Sequence, residues 1–427
     1  MRLLPLLVLG LTLSACLVRD DAPEAPAPEA AGAETVRASF YGDDALPDSA
    51  AVEAGRYTRR TARVDTAAQA EAARSNRERL GDVDRTARAP LAWRDSLHLP
   101  LGGDVEGPSV LKLQVLLDRA HFSPGEIDGR WGDNTESALV AFQDAAGVGA
   151  TPGVADSATV RALSERAGRP QALVADHVLT EDDVAGPFAA LPEGIYEKAE
   201  LDALGYESLG EKLGEAFHAA PGLLRRLNGG AALDSIAAGD TLRVPAVEDA
   251  PALRGEIARV EVSGEGRYLR GLTASGEVVF HAPATLGAEY DPSPSGDFQI
   301  TGIARNPEWH YQPKILESVP DDEEDAILPG GPNNAVGTVW MSLSEPHYGI
   351  HGTRAPGTIG YASSSGCVRL TNWDVERLAE AVGAGTPVAF ASINGREASG
   401  GSGGGASGGG DSDSTASRRA RTGRTGA

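Results

Sequence analysis

The hydrophobic period of the chain changes near residue 256, so it must fold as at least two units of different class. Upstream, Leu113, Leu116, Leu117 and Ala120 recur at i, i+3, i+4 and i+7, which predicts a helix with one apolar face. Leu139, Phe142 and Ala146 predict a second helix, and Val160, Leu163 and Ala167 a third. Downstream, the runs IARVEVS, RYLRGLTA, EVVFHA and DFQITGIA are short, β-branched and bounded by Gly, Pro or Ser, which predicts successive strands. One helix stands out among them, over 372–382: Thr371 can cap it, Asp374 suits its first turn, and Val375, Leu378, Ala379 and Val382 make a buried stripe. The fold class expected is therefore multidomain, a small three-helix module over 107–168 followed by a β-rich, mixed α+β domain over 254–394.

Of the 427 residues, 53 are Gly and 27 Pro. Residues 16–106 read as a disordered tether of Ala, Pro, Glu, Asp and Arg, and 395–427 as a Gly/Ser/Arg-rich disordered tail. Asp and Glu number 61 against 38 Lys and Arg, a net charge of −23 that repels polyphosphate and argues against nucleic acid as a partner.

Residues 1–15 hold one basic residue, Arg2, and an apolar run shorter than the roughly 20 residues a membrane span needs. The run ends in Leu13-Ser14-Ala15-Cys16, which resembles a bacterial lipobox, with Cys16 as the lipidated first residue of an exported protein. In a cell with two membranes the following Leu17 favours a periplasmic protein held at the outer membrane. An ordinary secretory signal with a chance cysteine is the alternative.

Cys16 and Cys367 are the two cysteines, and no disulfide between them is expected. Cys367 lies in IHGTRAPGTIGYASSSGCVRL with His351 upstream. An unperturbed thiol, with a pKa of about 8.5, is little ionised at neutral pH, so a nucleophilic cysteine needs a base such as His351 to take its proton. Gly366 would let a carbonyl approach the backbone, where the N–H groups of Gly366 and Cys367 could stabilise an oxyanion. On a strand, Arg369 would share the face of Cys367 and could hold a carboxylate bidentately.

These residues resemble the L,D-transpeptidase catalytic domain of the YkuD family, whose signature is His-Gly, a spacer, then Ser-His-Gly-Cys-x-Arg. Here it reads His351-Gly352, then Ser364-Ser365-Gly366-Cys367-Val368-Arg369, with Ser365 where the family has His. The resemblance implies Cys367 as nucleophile and His351 as base, oriented by a backbone carbonyl, that of Gly352. It implies substrate contacts at Ser365, Gly366 and Arg369, and no cofactor or metal. The reaction implied is cleavage of the L,D bond of a peptidoglycan stem tetrapeptide, with transfer of the acyl group to an amine on another stem or on a lipoprotein.

Upstream, GEIDGRWGDNTESALVAFQ resembles a three-helix peptidoglycan-binding module through Asp128, Gly129, Gly132 and Thr135, with Asp128, Gly129 and Thr135 as candidate wall contacts. In a generic helical bundle the same residues would only cap and turn. Residues 190–248 resemble the second half of a LysM glycan-binding motif, or a spacer. A zinc peptidase reading of His347 and His351 fails because Tyr348 stands where a Glu is needed and Gly349 opposes a helix. Ser109-x-x-Lys112 lacks the companion motifs of penicillin-binding proteins. A non-catalytic wall tether and an L,D-carboxypeptidase with water as acceptor stay open.

Overall fold

The computed structural model describes residues 97, 99–103, 105–288, 291–315 and 323–391. The segments expected as a leader, with Cys16, and as a tail, and nearly all of the one expected as a tether, lie outside these residues.

Three helices build the first unit: α1 (Pro108–Arg119), α2 (Asp133–Ala146) and α3 (Ser157–Arg166). Proline near the start of α1 suits the turn where an N–H is spare, and α2 stops at Gly147, whose φ of 61° is the left-handed cap. Asp156 caps α3 by accepting from the Thr159 N–H at 2.8 Å. The expected stripes meet in one core with Phe122 and Ala155, except that Ala146, expected in the second stripe, is exposed at the end of α2. Helix α1 has a second apolar face that the spacing did not reveal, in which Leu111 and Val115 enter the core of the next unit with Leu213, Phe217 and Leu223. A helix apolar on both sides must be covered on both sides, so the two units are fused along it.

The middle unit starts earlier than residue 190, a correction to the sequence reading. Strand β1 (Val174–Val178) pairs antiparallel with β2 (Thr241–Pro245), and α4 (Ile195–Ala199), α5 (Leu209–Ala216) and α6 (Pro221–Leu227) lie between them. Only Val174 of β1 is fully buried, so the strand carries no hydrophobic alternation to read.

The third unit is an eight-stranded mixed sheet of order β11-β10-β9-β6-β12-β3-β4-β5. Its strands are β3 (Arg259–Ser263), β4 (Tyr268–Leu272), β5 (Val278–Pro283), β6 (Gly296–Arg305), β9 (Val339–Leu343), β10 (Gly349–His351), β11 (Val368–Arg369) and β12 (Pro387–Ala391). A separate hairpin, β7 (Trp309–Tyr311) with β8 (Ala326–Leu328), stands beside them. Helix α7 (Asn372–Ala381) starts at Thr371, whose hydroxyl accepts from the Asp374 N–H, and packs Val375, Leu378 and Ala379 into the core. Val382, expected in that stripe, is its half-buried C-cap.

Buried polar bonds join the units. Arg377 of α7 donates to both oxygens of Asp118 of α1 at 2.9 and 3.0 Å, and His218 of the middle unit donates to Asp118 at 3.1 Å. Ser123 donates to Asp374 at 2.7 Å. The connection between the middle unit and the sheet is held too: Arg119 donates to the carbonyls of Ala246, Glu248 and Asp249, and His121 donates to that of Pro251.

Candidate active site

Strand alternation separates core from site on β10. Ile350 enters the hydrophobic core, and His351 turns to the opposite face. Its cross-strand neighbours are Trp340 on β9 and Arg369 on β11. The indole of Trp340 stacks on the imidazole with centroids 5.3 Å apart, and Gly349 leaves room for it, since a Cβ there would fall 2.6 Å from the indole. His351 Nδ1 donates to the Gly352 carbonyl at 2.7 Å. That bond fixes the tautomer of a neutral ring and leaves Nε2 as its acceptor.

Cys367 ends the bend before β11, and each turn of that bend is tied down. Ser364 exchanges backbone bonds with Leu286 and Ala288, and its hydroxyl donates to the Cys367 carbonyl at 2.6 Å. Ser293 donates to the Gly366 carbonyl at 2.7 Å. Gly366 has a φ of 90°, and a Cβ there would lie 2.6 Å from the Tyr348 ring, so only glycine fits. The half-buried thiol lies 3.7 Å from the His347 carbonyl.

Cys367 and His351 both open on a cavity of about 620 Å³. Trp309 and His310 of β7 form one wall, and Tyr348, Trp340 and Asp291 contribute to the rest. The β7–β8 hairpin is braced from the middle unit, where Leu204 packs on Tyr311 and Leu328, and the Tyr196 hydroxyl donates to the Glu324 carbonyl at 3.0 Å.

Burial drives both reactive groups toward their neutral forms. Desolvation, with the charge of Arg369 adding to it, lowers His351 to about 3, while the Gly352 bond opposes the shift. Desolvation raises the Cys367 thiol to about 11, against smaller lowering effects of the Gly349 backbone and Arg369. A neutral thiol and a neutral imidazole with Nε2 as its acceptor, open on one cavity, suit proton abstraction during attack, and not a standing ion pair.

Arg369 corrects one expectation. Expected on the face of Cys367, where it could hold a carboxylate, it is the cross-strand partner of His351, is 3% exposed and does not line the cavity, so its charge acts from beneath the site. Ser365 does line the cavity. The residues the sequence reading missed are Trp340, Trp309, His310 and Asn372. None of the first three was singled out from its residue type or spacing, and Asn372 was read only as the start of α7.

In the helical module, the candidate wall contacts have internal partners. Gln114 donates to Asp128 Oδ1 at 2.9 Å and Thr135 Oγ1 at 3.1 Å, and accepts from the Gly129 N–H at 2.7 Å. Gly129 needs its place in the turn, with a φ of 76°. Asp128 and Thr135 also edge a groove of about 60 Å³, whose far side is Pro356, Gly357 and Tyr361 of the third unit.

Comparison with known proteins agrees with this architecture. Residues 258–389 match the L,D-transpeptidase catalytic domain, and residues 106–163 match a peptidoglycan binding domain. The L,D-transpeptidase YkuD of Bacillus licheniformis is 35% identical over 163 residues, covering 38% of this chain and 79% of that protein. Its Bacillus subtilis counterpart is 34% identical over 153 residues, covering 36% and 76%. A crystal structure of the L,D-transpeptidase from Xylanimonas cellulosilytica aligns with a TM-score of 0.30 at 17% identity, covering 70% of this chain and 100% of that one. A helical peptidoglycan-binding module thus precedes a sheet domain with His351 and Cys367 on one cavity, and the chain belongs to the YkuD family of L,D-transpeptidases.

Proposed function

We propose that Cys367 is the nucleophile of this L,D-transpeptidase, His351 its general base and the Gly352 carbonyl the group that orients the base. The observation that carries the reading is the shared cavity, on which a thiol and an imidazole with its Nδ1 already committed both open. His351 Nε2 takes the thiol proton as sulfur bonds to the carbonyl carbon of the L,D peptide bond of a stem tetrapeptide. The N–H groups of Gly366 and Cys367 hold the oxyanion, the C–N bond breaks, and the terminal D-alanine leaves with the proton from the imidazolium. The amine of a second stem or of a lipoprotein then attacks the thioester. A new amide forms, sulfur leaves, and the thiol regains its proton.

Two placements complete the reading. Glycan contact by the middle unit fits its resemblance to a LysM motif, and lipidation at Cys16 would hold the enzyme in the periplasm at a membrane. Incubating the protein with purified tetrapeptide muropeptides and weighing the products tests the chemistry. Cross-linked dimers with loss of D-alanine support transfer, tripeptides alone indicate water as acceptor, and unchanged muropeptides overturn the reading. For Cys16, the Cys16→Ser variant should lose detergent-phase partitioning, since stable anchoring takes more than one acyl chain. Wild-type protein found in the aqueous phase would exclude the anchor.

A further inference from the structure

The loop that orients the imidazole is gripped by Asn372 at the start of α7, and Asn372 is itself held from outside the sheet domain. After Gly352, whose carbonyl accepts from His351, the Thr353 N–H donates to Asn372 Oδ1 at 3.0 Å, and the Thr338 N–H donates to the same oxygen at 3.2 Å. Asn372 is 1% exposed, and the packing around it has no slack: a Cβ on Gly352 would fall 2.2 Å from Oδ1, and one on Gly337 2.1 Å. Its Nδ2 donates to Glu215 Oε1 at 2.9 Å, to Glu215 Oε2 at 3.2 Å and to the Pro332 carbonyl at 3.3 Å. An amide has donors at one end and acceptors at the other, and a flipped Asn372 would aim N–H groups at the N–H groups of Thr353 and Thr338. The acceptors that prevent the flip are Glu215 and the Pro332 carbonyl.

Glu215 lies on α5 of the middle unit. Burial, with Glu376, Glu211 and Glu126 nearby, raises its pKa to about 8, and a carboxyl group offers an acceptor oxygen to Asn372 in either protonation form.

We propose that Asn372 is a positioning residue for the His351 imidazole and that Glu215 sets its amide, so that seating of the middle unit is part of assembling the active site. The proposal rests on the reading of His351 as general base. A ring displaced by a fraction of an ångström transfers a proton poorly although substrate still binds, so the loss falls on kcat and not on KM.

The test is formation of the acyl-enzyme by the full chain with a stem tetrapeptide, followed by intact mass. Asn372→Ala should lower the maximal rate about 10- to 100-fold with KM changed by less than about two-fold. Glu215→Ala should lower it by roughly 3- to 10-fold, and Glu215→Gln, which keeps an acceptor, should restore most of the rate. In a His351→Ala background neither substitution should have a further effect, because the group they position is gone. Equal losses in both backgrounds would show a merely structural role and overturn the proposal. Wild-type rates in Glu215→Ala would remove the middle unit from it, and that half-buried position still decides the matter if Asn372→Ala fails to fold. A wild-type rate in His351→Ala alone would instead sink the general-base reading, a distinct outcome.

Discussion

Two buried polar clusters of this molecule handle charge in opposite ways. At the junction of the three units, burial alone would raise Asp118, yet Arg377 and His218 hold its carboxyl well below the usual range. Burial likewise opposes the Arg377 charge, and Asp118 more than offsets it. Each ion there is paired and hydrogen-bonded. At the active site, burial wins: His351 and Cys367 are pushed to their neutral forms, and each keeps an open side toward the cavity. One cluster binds because its valences are filled, and the other can react because they are not. The difference separates residues whose loss should unfold the chain from those whose loss should silence it.

Breaking the reactive cluster should give the largest effect. Cys367→Ala should abolish product formation from muropeptides while thermal unfolding stays near that of the wild type. His351→Ala should slow acylation by about 10² to 10⁴-fold, measured by single-turnover mass spectrometry. In the paired cluster, Arg377→Ala leaves Asp118 buried with half its partners and should cost about 3–5 kcal/mol in urea unfolding. The cysteine that remains in folded Arg377→Ala protein should react normally. Gln114→Ala, which removes the partner of Asp128, Gly129 and Thr135, should cost about 1–3 kcal/mol by the same measurement.

The smallest effect sharpens the contrast in protonation. The reactive form of a thiol is its thiolate, and a thiol raised to about 11 gains thiolate with every unit of pH below that value. Alkylation of Cys367 by iodoacetamide should therefore rise about tenfold per pH unit to beyond about pH 9, without a plateau. A plateau near neutral pH would mean that the resting site holds a thiolate paired with an imidazolium, and the neutral reading would fall.

What could be read from the chain was local. The stripe of α7 apart from Val382, its Thr371 cap and strands β3, β4, β5 and β6 follow from spacing alone, and the structure has them in place. The helical faces of the first unit follow in the same way, apart from Ala146, which is exposed. Three things escaped. Strand β1 has too few inward residues to show a period. The second face of α1, with Leu111 and Val115, was masked by a stronger stripe on the same helix. The partners that matter most are remote, since Asp118 meets Arg377 across 259 positions and Glu215 meets Asn372 across 157. Periodicity reports which side of an element is covered and not by what. Alternation likewise put Arg369 on the face of Cys367 but gave no sign that it is buried.

The grip of Arg119 on the carbonyls of Ala246, Glu248 and Asp249 has a mechanical meaning. A covalent connection between two units ordinarily acts as a slack cord that takes up strain before either unit feels it. Here the cord is pinned along α1, and Arg377 bolts the same helix to α7. Tension applied to the peptidoglycan-binding helices therefore passes directly into the helix that begins at Asn372, one bond from the loop that carries Gly352.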